Sequence, residues 1–324
     1  MPSDSPHSSR KRRFRQDRSM LIGAAAGVIL LIIFIIAGSV SGAKKEKASK
    51  PDGSDGVSSK VVSSKLEFEK KVVPLSDISK GSLILVNDSH PYTSATAGGS
   101  LADIDSEKNE YYSIRDIGMK MNDLALKNFN SMMNGFYQEC SNRDIMVTEA
   151  YVSADRQNVI YNQALENSRV ESKGGYSEHQ TGLAVDLGIY PEEGKSFRYV
   201  PSGDYAWIRD NCTKYGFIER YRDEKAENTG IRDHGEHFRY VGIPHAWYMK
   251  ENDLSLEEYL QALKKYAYGS KTLQVSCFDR NFEVYYIRAR DESGSGNVEL
   301  YVPVNCEYTV SGNNADGFVI TIEK

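Results

Sequence analysis

The chain has 324 residues, 26% of them charged and 40% apolar, with a formal net charge of −5. That length allows one or two folded domains. The mild acidity gives no reason to expect a nucleic-acid partner, and the apolar share excludes a fully disordered chain.

The N-terminus departs from this average. Arg10 to Arg18 form a basic run, and Met20 to Val40 follow without a charge. About 20 apolar residues span the hydrocarbon layer as a helix. A cleaved signal peptide is the alternative, with Ser41-Gly42-Ala43 as a cut site, but its apolar core is normally roughly 7–15 residues. The expectation is a single-pass anchor, 20–40, behind a cytoplasmic basic tail, 1–19, with the folded part extracellular by the positive-inside rule. Lys44 to Lys65 are rich in Lys, Ser and Gly and read as a flexible stalk, taken to 41–75, with ordered structure beginning near Gly81.

Ile117, Met121, Leu124, Phe129, Met132, Met133 and Phe136 recur at helical spacing, the pattern of a buried helix face running to Cys140. Asp144 to Val152 are β-rich. Ser153 then offers an N-cap for a helix from Ala154. Asp204 to Phe217 read as a helix stopped near Gly216. Ser255 and Glu258 have capping-box spacing, and a helix should follow to about Ala267.

After Gly269 the pattern becomes short β runs separated by turns. The expected unit, 269–324, has a size at which a separate core is marginal. Four cysteines in an exported chain permit disulfides. Cys277 and Cys306 are a candidate pair, whereas Cys140 and Cys212 sit in helical patterns and read as free thiols.

The chemistry-bearing stretch is Ser177 to Ile189. In the strand Gly182–Ile189, Leu183, Val185, Leu187 and Ile189 share one face. Gly182, Ala184, Asp186 and Gly188 share the other. Asp186 is the only charge on that second face, and His179 precedes it across the bend at Gly182. Three of the six histidines fall between Asp233 and His245. In the strand there, His237 shares a face with Arg239 and Val241, while Glu236 shares the other with Phe238 and Tyr240. Two histidines and an aspartate, with one position open, form a catalytic zinc arrangement. A histidine taken alone is more often a surface or hydrogen-bonded residue, so the clustering carries the reading.

Ser177-Glu-His-Gln-Thr-Gly-Leu-Ala-Val-Asp186 and His237-Phe-Arg-Tyr-Val-Gly resemble the two metal segments of the zinc D-alanyl-D-alanine carboxypeptidases of the VanY type. That group also contains lysostaphin-like peptidases and the hedgehog amino-terminal domain. The resemblance covers about Leu83 to Tyr266. It implies an α+β fold over 76–268, with a small antiparallel sheet carrying Zn2+ on His179, Asp186 and His237, and with flanking helices. It implies an exported enzyme acting on peptidoglycan stem peptides, with Ser177 contacting substrate. Arg156 and Gln157, on the helix after Ser153, are further substrate-contact candidates; a solvated surface charge is the alternative for Arg156.

Two positions depart from the family. Its general-base glutamate, three residues before the last ligand, is His234 here. Its oxyanion-supporting arginine is Val152. Losing a positioned base costs about 10²–10⁴ in rate, and losing an oxyanion donor about 10²–10³. His234, Glu236 and Asp233 are candidate replacement bases; His234 as a fourth ligand is the alternative. A carboxypeptidase, a weakened wall-peptide-binding module and a wall endopeptidase all stay open at this point.

Overall fold

The computed structural model describes residues 66–92, 99–166, 171–191, 194–232 and 234–324. The expected span Met20–Val40 and its flanks lie outside the described residues. Among the described residues, no helix is long and apolar enough to cross a membrane.

In chain order the first elements are β1 (Phe68–Pro74), β2 (Leu101–Asp103), α1 (Ile104–Glu107), β3 (Ser113–Ile114), β4 (Lys120–Asn122) and α2 (Asp123–Cys140). The Asn122 side chain accepts from the amides of Leu124 and Ala125 and so starts α2. Leu126, Phe129, Met132, Met133 and Phe136 are fully buried, as the helical spacing predicts. Ile117 and Leu124 are corrections: they are 87% and 50% exposed. Ile117 precedes the helix, and Leu124 sits in its first turn, turned from the core.

The middle of the chain gives β5 (Ile145–Glu149), α3 (Ala154–Glu166), β6 (Ala184–Ile189), β7 (Phe197–Arg198), α4 (Ala206–Asn211), β8 (Phe217–Tyr221), α5 (Ala226–Thr229) and β9 (His234–Tyr240). The expected helix over Asp204–Phe217 is shorter, because Gly216 takes a left-handed conformation and Phe217 already belongs to β8. The main sheet runs β3-β5-β6-β9-β8, with β7 added to β6. Its pairs are antiparallel except β3 with β5. Val185, Leu187, Phe217 and Phe238 pack one face of this sheet against α2. The other face of β6 and β9 carries Asp186 opposite His237, with Arg239 opposite the small Ala184.

The chain ends with α6 (Ile243–Glu251), α7 (Leu256–Leu263), β10 (Leu273–Cys277), β11 (Arg280–Arg288), β12 (Asn297–Pro303), β13 (Tyr308–Gly312) and β14 (Gly317–Glu323). Ser255 and Glu258 form the expected capping box on α7. Strands β10-β11-β14-β13 make one sheet, and β12 pairs with β1. The described residues belong to one compact unit. Leu256, Tyr259, Leu260 and Leu263 of α7 share a core with Val275, Phe282 and Val284 of the C-terminal strands. Each such buried side chain contributes about 1.5–3 kcal/mol. The strands therefore draw on the helices for a core that so few residues build poorly alone.

Ordered structure starts before Gly81, within the segment expected as stalk. β1 is held by backbone pairing to β12, and most of its side chains are exposed, so it lacks an alternating apolar signal. All four cysteines are free. Cys277 and Cys306 cannot be treated as a pair, because they pack on different cores.

Candidate metal centre

The segment from Ser177 turns sharply before entering β6. The Ser177 side chain accepts from the His179 amide and caps a single 3₁₀ turn, Glu178–Thr181. Gly182 ends that turn at φ 71°, where a side chain is strained. A Cβ there would also lie 2.7 Å from Leu101 Cδ2. This turn brings His179 back over the start of β6.

His179, Asp186 and His237 converge, with one ligand atom from each within 4.8 Å of the others. All three are buried. His179 Nε2 is 3.3 Å from Asp186 Oδ2, and His237 Nδ1 is 2.7 Å from Asp186 Oδ1. The tautomers follow from the outer partners. His179 Nδ1 lies 2.8 Å from the Ala150 carbonyl, which only accepts, so Nδ1 carries the proton. His237 Nε2 lies 3.3 Å from Glu178 Oε2, a carboxylate, and donates to it. Each histidine thus turns its remaining nitrogen toward Asp186. Two imidazole nitrogens and one carboxylate oxygen fit a zinc ion, and outer partners of this kind fix ligand orientation. No fourth protein ligand joins the cluster among the described residues.

Charge around the cluster is arranged in depth. Burial opposes ionisation of Glu178, but Arg220 and Arg239 outweigh it and hold its carboxyl well below the usual range. Glu178 Oε1 is 2.9 Å from Arg220 Nε and 3.0 Å from Arg239 Nη1. Arg220 reaches on to Glu257 through two contacts of 3.0 and 2.7 Å. Burial also opposes charge on His179, yet Asp186 outweighs it and raises the imidazole to about 9. A metal ligand nitrogen must be free of its proton, so metal binding at this cluster is expected to release protons.

The pocket beside the cluster is lined by Ser177, Gln157, Tyr221 and His234, together with Glu149 and Glu171. His234 faces it because β8 and β9 lose register between Glu219 and Tyr221, opposite His234–His237. Regular alternation would have put His234 and His237 on opposite faces. The His234 ring centroid is 5.8 Å from that of His237, and its Nδ1 is 3.8 Å from Glu236 Oε1. Glu236 points away from the pocket and is held by Arg198, at 3.0 and 2.7 Å. It is therefore not a base beside the metal, as one sequence option had it. Asp233 lies outside the described residues. Arg156 is exposed on α3 and does not line the pocket, in keeping with the solvated alternative. Val152 is buried beside the His179 backbone and supplies no charge.

Sequence reasoning missed Glu149, Glu171, Glu178, Arg220 and Tyr221. Glu178 stands inside the metal motif, and its position next to His179 was the available signal. The others come together only through strand pairing.

A family model described as D-alanyl-D-alanine carboxypeptidase (VanY) matches residues 118–243. A D-alanyl-D-alanine carboxypeptidase of Enterococcus faecium is 31% identical over 257 residues, covering 78% of this chain and 79% of the relative. The bifunctional D-Ala-D-Ala dipeptidase and D-Ala-D-Ala carboxypeptidase VanXYC of Enterococcus gallinarum is 35% identical over 128 residues, 36% of this chain and 66% of that protein. Among solved structures, the vancomycin resistance D,D-dipeptidase VanXYg in complex with a D-Ala-D-Ala phosphinate analog is 29% identical with a TM-score of 0.69. That match covers 80% of this chain and 100% of the other.

Proposed function

Because the chain belongs to the VanY family of D-alanyl-D-alanine carboxypeptidases, we propose that it is a zinc metallopeptidase removing terminal D-alanine from peptidoglycan stem peptides. One observation carries the reading. His179, Asp186 and His237 meet in a buried three-ligand cluster with both histidine tautomers fixed and a pocket at its open side.

Zn2+, when bound, supplies Lewis acidity and makes water a competent nucleophile near neutral pH. The remaining work falls to side chains. His234 faces the pocket and takes the proton from the attacking water, with Glu236 3.8 Å behind its Nδ1. Ser177 presents its hydroxyl to substrate from the N-terminus of the 3₁₀ turn, and Gln157, which lines the same pocket, binds substrate beside it. With Val152 in place of a cation, the expected rate is about 10²–10³ below that of a site with the oxyanion donor.

Val152 favours one second reading, a catalytically weakened module that binds zinc and wall peptide. For location, we place the folded part outside the cell membrane behind a single-pass helix, Met20–Val40, with the N-terminus cytoplasmic. The support is the basic run Arg10–Arg18 before an uncharged stretch.

The test is release of D-alanine by the zinc-loaded protein from a pentapeptide ending in D-Ala-D-Ala. Release that disappears in His179→Ala supports the peptidase. An inert zinc-bound protein in which His234→Glu with Val152→Arg restores turnover would put the binding module in its place.

A further inference from the structure

We propose that Glu257, on α7, is a positioning residue for the zinc site, acting through Arg220 and Glu178 on His237. The proposal rests on the zinc reading of the cluster and not on the peptidase reaction.

The link is one guanidinium. The Arg220 side chain is fully buried, and all three of its nitrogens are used. Nε donates to Glu178 Oε1 at 2.9 Å, while Nη1 and Nη2 donate to the two oxygens of Glu257 at 3.0 and 2.7 Å. Such a fork fixes the plane and direction of a guanidinium, which a single bond does not. The sheet constrains Arg220 less, because it falls in the register shift between Glu219 and Tyr221.

Arg220 in turn aims Glu178. Two arginines approach Glu178 Oε1, at 2.9 and 3.0 Å. Arg239 Nη1 makes no hydrogen bond among the described residues, so it supplies charge, and Arg220 supplies direction. The two oxygens of a carboxylate turn together. Holding Oε1 on Arg220 therefore places Oε2, which lies 3.3 Å from His237 Nε2. A second contact runs the same way. The Arg220 guanidinium lies 4.9 Å over the Tyr221 ring, whose centroid is 4.9 Å from that of His237.

α7 is a firm support for this chain. Its Tyr259 hydroxyl meets His245, which reaches Thr321 of β14. Glu257 stands in the first turn, where the helix dipole favours a carboxylate. Its neighbour Glu258 is engaged elsewhere, with the Ser255 amide, Lys225 and Asn228. Glu178 and Glu257 together balance Arg220 and Arg239. Neutralising Glu257 loosens the fork and leaves one excess positive charge buried near the metal, and both effects disfavour a divalent cation.

The experiment measures zinc affinity of the full chain by chelator competition. Glu257→Gln should bind zinc about tenfold more weakly. Glu258→Gln removes the same charge one residue along the helix and should bind as the wild type does. NMR of the zinc-loaded protein with isotope-labelled histidine separates positioning from general loss of structure. In Glu257→Gln the His237 Nε2 proton should shift and exchange faster with water, whereas the His179 Nδ1 proton, held by the Ala150 carbonyl, should stay unchanged. Should Glu257→Gln not fold, Glu257→Asp keeps the charge and shortens the reach of the fork, and should show a smaller loss in the same direction. Wild-type zinc affinity in the Glu257 variant, equal losses at Glu257 and Glu258, or equal changes at both histidine protons overturns the proposal. The peptidase reading is judged separately. A protein that binds zinc in this way but releases no D-alanine loses the peptidase and retains the role of Glu257, whereas D-alanine release with zinc affinity indifferent to Glu257 does the reverse.

Discussion

Asp186 on β6 stands directly opposite His237 on β9, its Oδ1 2.7 Å from His237 Nδ1. Its other oxygen lies 3.3 Å from His179 Nε2, so one carboxylate joins both histidines. Asp186→Ala should therefore fail to hold zinc at concentrations where the wild type binds one equivalent. Metal analysis after equilibrium dialysis checks this, and a variant with wild-type zinc content would remove Asp186 from the ligand set.

Glu178 should matter to zinc without touching it. Its carboxylate holds the His237 Nε2 proton and is itself held by Arg220 and Arg239. Loss of such an outer partner typically costs 10–100-fold in metal affinity. Glu178→Gln can still accept from His237, so it should lose about tenfold. Glu178→Ala leaves two buried arginines without their shared partner and should also cost about 3–5 kcal/mol in urea unfolding. Zinc affinity equal to wild type in Glu178→Gln, from a chelator competition, would leave Glu178 a purely structural residue.

His234 should govern turnover and not zinc content. His234→Ala is expected to lower the rate of D-alanine release about 10²-fold or more. His234→Glu should preserve or raise it. An unchanged rate in His234→Ala would move the base elsewhere in the pocket.

Stability should fall in mild acid because of His245. This side chain bridges Tyr259 Oη at 2.7 Å and Thr321 Oγ1 at 3.0 Å, and burial lowers its pKa to about 3. An unfolded histidine titrates near 6.5. Between these values the unfolded chain binds the proton and the folded chain does not. The neutral residue's contribution is thus complete above about pH 6.5 and is lost as pH falls toward 3. The loss across that window is on the order of 4 kcal/mol. Urea midpoints measured from pH 7 to pH 4 should decline, and less steeply in His245→Gln. Parallel declines in the two proteins would assign the acid sensitivity to other groups.

The sequence by itself pointed to the candidate ligands. Asp186 and His179 are legible because a local bend and strand alternation leave Asp186 alone on a face of small residues, and His237 because the histidines cluster there and the segment resembles the family's second metal segment. The bend and the alternation need only near neighbours. The opposed faces of Glu236 and His237 follow from the same period of two, and the α7 cap follows from Ser255 and Glu258. Tertiary structure decided what surrounds the ligands. A slipped register between β8 and β9 turns His234 into the pocket, and another in β5 sets Glu149 beside Asp186. The Glu178–Arg220–Glu257 chain joins three distant segments. β1 shows no apolar alternation, because backbone hydrogen bonds to β12 hold it. Alternation is a local property of the backbone and can be read from residue order. A bulge, a charge partner or a shared core depends on which strand lies alongside, and that is fixed only when the whole chain packs.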